Sequence, residues 1–175
     1  MRKRPPHELD RPDPEALERL SRHPLVLVLD NIRSAHNVGS MFRTADAVRA
    51  ERVICCGYTP TPDHRAVAKT ALGAEQTVPW SAEEDVTALL DRLRAAGHTL
   101  AALEQTDRPT PLRAVQAEHF PLALVLGNEV EGVQQAVLDR CDLALEIPQY
   151  GAKHSLNVAV AFGVAAYALV ERLTG

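Results

Sequence analysis

Leu25-Val26-Leu27-Val28-Leu29 is an unbroken aliphatic run closed by Asp30. A surface helix would interrupt such a run with a polar face, and a half-exposed strand would alternate. A strand buried on both faces needs neither, and such strands belong to parallel sheets covered by helices. Leu122 to Leu126 repeats the pattern. Between and after these two runs, segments of strand and helix character alternate.

Val38, Met41, Phe42, Ala45 and Val48 share one helical face, so Asn37 to Val48 is expected to be a helix. Asn37 is its expected cap, with Gly39 and Ser40 in the first turn. Arg52 to Cys56 is a strand, Gly57 to Asp63 a loop, and His64 to Leu72 a helix stopped by Gly73. Thr77 to Trp80 is a further short strand. Ser81 with Glu84 forms a capping box for a helix reaching about Ala96. His98 to Leu103 is a strand, and Asp107 to Pro111 a loop. Leu122 to Leu126 is followed by the loop Gly127 to Gly132 and a helix over Val133 to Leu138. Leu143 to Ile147 is the last strand, and Ser155 to Leu173 a long apolar helix. The alternation implies an α/β fold with a mainly parallel sheet flanked by helices. Ligands in such sheets bind beyond the carboxyl ends of the strands.

Residues 1–23 differ: they are polar and hold four prolines. They are expected to be an extension with one short helix over Pro14 to Leu20, capped by Asp13. Residues 24–175 form the domain. With 175 residues, 46% of them hydrophobic, the chain can build a core without disulfide or metal staples. Cys55, Cys56 and Cys141 are an odd set without ligand spacing, expected to be reduced, buried and apolar, so no metal is expected. No apolar run is long enough to cross a bilayer. The N-terminus has no signal-peptide pattern, which makes the cytoplasm the expected location. The net charge is −4, so any nucleic-acid contact is confined to local basic clusters. These are Arg2 to Arg4, then Arg33, His36 and Arg43, then Arg65 and Lys69.

Three segments each leave the carboxyl end of a strand. Asn31 to Ala45 is dense in hydrogen-bonding groups and opens a helix, whose N-terminus favours anions. Arg43 lies about one and a half turns beyond Asn37, where its guanidinium can grip a phosphate. Leu126-Gly127-Asn128-Glu129-Val130-Glu131-Gly132 sets a carboxylate between glycines, where backbone can approach a ligand closely. It lacks the Lys and Ser/Thr of a P-loop. Ile147 to Ala161 enters its helix through Ser155-Leu156-Asn157. Ser155 is the expected cap, and Asn157 is an amide in an otherwise apolar stretch, expected to be buried with partners.

In order and spacing these segments resemble the three motifs of the SpoU/TrmH methyltransferases of the SPOUT superfamily. The first matches N-x-G-S-x-x-R-T-A at Asn37, Gly39, Ser40, Arg43, Thr44 and Ala45. The second matches L-G-N-E-x-x-G at Leu126 to Gly132. The third matches I-P-x-x-G-x-x-x-S-L-N-V at Ile147 to Val158, with Gln149 where Met is common. The likeness runs from about Leu25 to the end.

That resemblance implies a C-terminal trefoil knot, S-adenosyl-L-methionine as cofactor and a homodimer through the C-terminal helix. It implies methylation of a ribose 2′-hydroxyl in tRNA or rRNA. Cofactor contacts fall to Leu103, Leu126, Gly127, Asn128, Ile147, Pro148 and Leu156. Arg43 is the key catalytic residue, expected to bind an RNA phosphate and stabilise the developing alkoxide. Asn37 and Asn157 orient the ribose and the loops, while Glu129 and Ser155 fix the site's hydrogen bonds. Arg33, His36, Arg43, Arg65 and Lys69 are expected to contact RNA. Two other readings compete. One is a non-catalytic RNA-binding protein on the same fold, which would lack one or more of these residues. The other is an unrelated α/β nucleotide enzyme, disfavoured by the missing P-loop and metal-binding carboxylates.

Overall fold

The computed structural model of the chain describes residues 1–5, 8, 9, 12, 16 and 19–174. The short helix expected over Pro14 to Leu20, with its Asp13 cap, lies largely outside the described residues.

The first aliphatic run is the centre of strand β1 (His23–Asp30). Leu25, Leu27 and Leu29 enter one hydrophobic cluster, and Val26 and Val28 enter another on the opposite face. Period-two alternation thus buries every residue of the run. Each such side chain taken from water contributes about 1.5–3 kcal/mol. Helix α1 (Ala35–Ala47) follows, then β2 (Ala50–Cys56), α2 (Arg65–Ala71), the short α3 (Ala74–Thr77) and β3 (Trp80–Glu83). Next come α4 (Val86–Ala95), β4 (Thr99–Leu103) and the two-residue β5 (Thr110–Pro111). The chain ends with β6 (Leu122–Leu126), α5 (Gln135–Leu138), β7 (Leu143–Glu146) and α6 (Val158–Thr174).

Among the described residues, seven strands form one sheet in the order β3-β2-β1-β6-β4-β7-β5. Every neighbouring pair is parallel. The expected mainly parallel α/β sheet is therefore present. The order itself positions the site. β1 leads outward to β2 and β3, whereas β6, on the other side of β1, leads past β4 to β7. Helix α1 packs with Leu25, Leu27 and Leu29, while Val137 of α5 packs on the other face with Val26 and Val28. The connections leaving β1 and β6 therefore run to opposite faces of the sheet, which makes the carboxyl ends of these strands a topological switch point. Cys55 and Cys56 alternate across the sheet in the same way. Both are buried free thiols pushed up to about 12 by that burial. Cys141, expected to be buried, is only half-buried, with its thiol donating to Val137 O at 3.3 Å.

Two local expectations change. The residues expected to start a strand at Thr77 close α3 instead, because the Thr77 hydroxyl bonds Asp46 at 2.6 Å and the carbonyl of Ala74. Ser81 lies in β3, paired with Ile54. Asp85 caps α4 in its place, its carboxylate accepting from the N–H groups of Thr87 and Ala88 at 2.8 and 3.1 Å. A carboxylate at that end also meets the positive pole of the helix. Gly39, expected in the first turn of this helix, is buried against α2.

A Cβ on Gly39 would lie 2.6 Å from the Val67 carbonyl oxygen and 2.9 Å from the Ala71 nitrogen. Alanine favours a helix interior over glycine by up to ~1 kcal/mol, but overpacking against backbone costs ~1–3 kcal/mol. Gly39→Ala is therefore expected to lower the urea unfolding free energy; a more stable variant would contradict this packing.

Candidate functional site

The three motif segments meet at the switch point through direct bonds. α1 begins earlier than expected: Ser34 is its cap, accepting from the N–H of Asn37 at 3.3 Å. The Asn37 side chain, expected to cap, is thereby free. Its Nδ2 donates to Glu129 Oε1 at 2.9 Å. Glu129 also accepts from the backbone N–H groups of Arg33 and Ser34 at 2.8 and 3.0 Å. The anion expected at the entrance of this helix is therefore the protein's own carboxylate.

α6 likewise starts at Val158, not Ser155. Asn157 caps it, with Oδ1 accepting from the N–H groups of Ala159 and Val160 at 2.9 and 3.3 Å. Its Nδ2 donates to Asn37 Oδ1 at 3.1 Å. Expected to be buried, Asn157 is exposed, because it sits before the apolar helix and not within it. Asn37 thus bridges Glu129 and Asn157, and residues distant in sequence become one chain of contacts.

Beside this chain opens a cavity of about 720 Å³ at the carboxyl ends of β4, β6 and β7. Volumes of this size hold small ligands. Leu103, Leu126, Gly127, Asn128, Ile147 and Leu156 all line it, as do Glu129, Ser155 and Asn157. Pro148 lies outside the lining and Gln149 within it. Glu104, Glu131 and Glu146 add carboxylates, and the lining contains no Lys or Arg.

Two motif residues that line the cavity also shape the loop itself. A Cβ on Gly127 would run into the backbone of Gly132 and Val133, so the glycine lets the loop close on itself. Asn128 and Gly132 form an antiparallel bridge there. The Asn128 side chain is fully committed to that fold. Its amide donates to the Asn31 carbonyl at 2.9 Å and the Tyr58 hydroxyl at 2.7 Å. Its oxygen accepts from the N–H groups of Val130 and Glu131. An amide side chain has no further capacity, so any ligand contact at Asn128 is left to its backbone.

Arg43 is exposed on α1, outside the cavity lining. Among the described residues its guanidinium has no hydrogen-bond or ion-pair partner. Arg33, His36, Arg65 and Lys69 are exposed as well. The His36 ring nitrogen Nδ1 lies 3.0 Å from the Thr70 hydroxyl, which puts α2 beside the entrance of α1.

Sequence reasoning missed the pair after β4. Glu104 accepts from the Val133 N–H at 2.9 Å, at the end of the second motif loop. Gln105 donates to the His154 carbonyl at 2.6 Å, in the third. The carboxyl end of β4 was the available signal, since residues there face the crevice. Among the described residues no group of three or more His, Cys, Asp or Glu is placed to hold a metal ion.

Burial pushes the Glu129 carboxyl up, but the bonds from the Arg33 N–H, the Asn37 side chain and nearby backbone outweigh it. They hold it below the usual range. A lowered folded value stabilises the fold above the unfolded pKa of about 4.3, and that stabilisation is lost as pH falls through the folded value. Glu129→Gln turns a donor or a weaker acceptor toward three N–H groups. It is expected to lower unfolding free energy at neutral pH by ~1–2 kcal/mol. The difference from wild type should shrink in acid, as measured by urea unfolding at several pH values. A gap that stayed constant into acid would contradict the role given to the charge.

The profile of the SpoU rRNA Methylase family matches residues 24–167. The 23S rRNA (guanosine-2'-O-)-methyltransferase RlmB of Ralstonia nicotianae is 34% identical over 158 residues, covering 90% of this chain and 63% of that protein. The AdoMet-bound rRNA methyltransferase from Sinorhizobium meliloti superposes with a TM-score of 0.80 at 27% identity, covering 90% of this chain and 60% of that one. A structure described as giving insights into the 2-OH methylation of C/U34 on tRNA superposes with a TM-score of 0.76 at 28% identity. It covers 87% of this chain and 97% of that one. The chain spans about three fifths of the length of the curated relatives it matches. The profile runs from β1 into α6, and the chain belongs to the SpoU rRNA methylase family.

Proposed function

We propose that this chain transfers the methyl group of S-adenosyl-L-methionine to a ribose 2′-hydroxyl of tRNA or rRNA. The observation that carries the reading is the Glu129–Asn37–Asn157 chain of contacts at the rim of the cavity. It joins a ligand-sized space to a polar rim at which a second substrate can be held.

The cavity fits the cofactor chemically. Leu103, Leu126, Ile147 and Leu156 offer apolar walls for an adenosine, and Glu104, Glu131 and Glu146 suit a cationic ligand. When bound, the cofactor supplies an activated methyl group. The chain's own residues then have to place the ribose oxygen in line and ease loss of its proton. Asn37 and Asn157 orient the ribose, and Glu129 holds both motif loops in register with them. Ser155, exposed at the cavity wall, is available to hydrogen-bond. Arg43 offers a planar guanidinium suited to a phosphate. Six residues along α1 from Asn37 is about 9 Å, which supports a grip on a neighbouring phosphate over contact with the cavity. From there its charge favours the developing alkoxide. Arg33, His36, Arg65 and Lys69 extend the phosphate path.

The family's trefoil knot and homodimer belong to the same reading. β7 lies between β4 and β5, both earlier in the chain. A late strand inserted between two earlier ones supports the knot. α6 is apolar all round: Phe162, Ala165, Ala166 and Leu169 are buried, while Val160, Val164 and Tyr167 stay 54%, 44% and 53% exposed. Spaced at i, i+4 and i+7, the exposed three form one stripe that suits a second copy. Among the described residues no helix is long and apolar enough to cross a membrane, and we place the reaction in the cytoplasm.

Incubation with labelled S-adenosylmethionine and unmodified tRNA or rRNA, followed by digestion, is expected to yield a labelled 2′-O-methylnucleoside. Cofactor and RNA binding without transfer would favour a non-catalytic RNA-binding protein. Arg43→Ala is expected to raise KM for RNA and reduce the salt slope of binding by about 1, with cofactor affinity by calorimetry unchanged. Full activity in that variant would sink the assignment. Val164→Asp should shift sedimentation from dimer to monomer; an unchanged dimer would rule out the α6 stripe.

A further inference from the structure

Tyr58 is 62% exposed, yet it is fixed at both ends. Its backbone N–H donates to Asn31 Oδ1 at 3.3 Å. Its hydroxyl accepts from Asn128 Nδ2 at 2.7 Å, and Asn128 lines the cavity. Asn31 has a left-handed backbone at φ 55°, and it starts the loop that leads to Arg33, His36 and Asn37. The hydroxyl end of the ring therefore lies at Asn128 on the cavity wall, and its backbone end at Asn31, where the loop to Arg33 and His36 begins. Most exposed aromatic side chains are free to swing. This one is held in place, with its face left open to solvent.

An unpaired nucleotide offers the matching chemistry. Unstacked bases are recognised by stacking on aromatic side chains, while cations take the adjoining phosphates. The phenol also keeps its own hydrogen to give, since no described residue accepts it. We propose that Tyr58 is the stacking platform for an unpaired base of the RNA substrate, next to the ribose to be methylated. This rests on the RNA reading above and adds to it the requirement for a single-stranded target.

The test is fluorescence anisotropy with a labelled, mixed-sequence, single-stranded oligoribonucleotide, which does not depend on catalysis. Tyr58→Ala is expected to weaken binding at least about fivefold, the scale of one base–aromatic stack, while Tyr58→Phe and Tyr58→Trp stay within about twofold of wild type. Calorimetry should show S-adenosylmethionine binding retained in all three, and sedimentation an unchanged oligomeric state. Unaltered RNA binding in Tyr58→Ala would overturn the proposal. So would an equal loss in Tyr58→Phe, a loss confined to cofactor binding, or dissociation of subunits. Should Tyr58→Ala fail to fold, Tyr58→Trp carries the test. Its added indole emission should be quenched by the oligoribonucleotide, and no quenching overturns the stack. If Tyr58 binds RNA but no methylnucleoside forms, only the methylation reading fails. If methylation proceeds and Tyr58→Ala binds RNA normally, only the stacking reading fails.

Discussion

The Glu129 carboxylate is the anion around which the site is assembled. It enters from the loop after β6, accepts two backbone N–H groups from the loop after β1, and takes a third bond from Asn37. A charged acceptor makes stronger hydrogen bonds than a neutral one. Here it also satisfies donors at the mouth of α1 that would otherwise need solvent or a ligand. Asn37, fixed in this way, turns its oxygen to Asn157, whose own oxygen caps α6. One carboxylate thus connects two helix starts and three loops.

The sheet order makes this possible. Only with β1 and β6 side by side can their loops bond each other, as Glu129 does with Arg33 and Ser34, leaving the cavity on the side of β4 and β7. Leu25 to Leu29 and Leu122 to Leu126, paired residue by residue, anchor both loops in the most buried part of the molecule. Thr59 fixes the start of the loop after β1, donating to the Leu29 carbonyl and accepting from the Ile32 N–H. On the far wall, Glu104 and Gln105 tie the second and third loops to β4. The rim is therefore held from both sides by side-chain to backbone bonds, while the cavity between stays open.

Much of this was legible in the sequence because it rests on local patterns. The aliphatic runs gave the two central strands, and the three polar segments gave the crevice residues. What stayed hidden depends on which elements become neighbours. Strand order is not a local property, so nothing near Leu126 says that β6 pairs with β1. The capping residues moved for a related reason. Ser34, Asp85 and Asn157 each win where their side chain can reach free N–H groups, whereas Asn37 and Ser155 have only the residue type of a cap, and Ser81 only the spacing of a capping box. Asn128 resembled a ligand contact, but its partners, Asn31 and Tyr58, lie far back in the chain. Gly127 looked like an opening for a ligand, and it also allows close approach of the protein's own backbone.

The central claim is that Glu129 and Asn157, which do not bond each other, act as one unit through Asn37. A double-mutant cycle of Glu129→Gln and Asn157→Ala, read by urea unfolding at neutral pH, tests it directly. The account predicts a coupling of at least about 0.5 kcal/mol that disappears in an Asn37→Ala background. Additivity within a few tenths of a kcal/mol, or a coupling that survives Asn37→Ala, would contradict it.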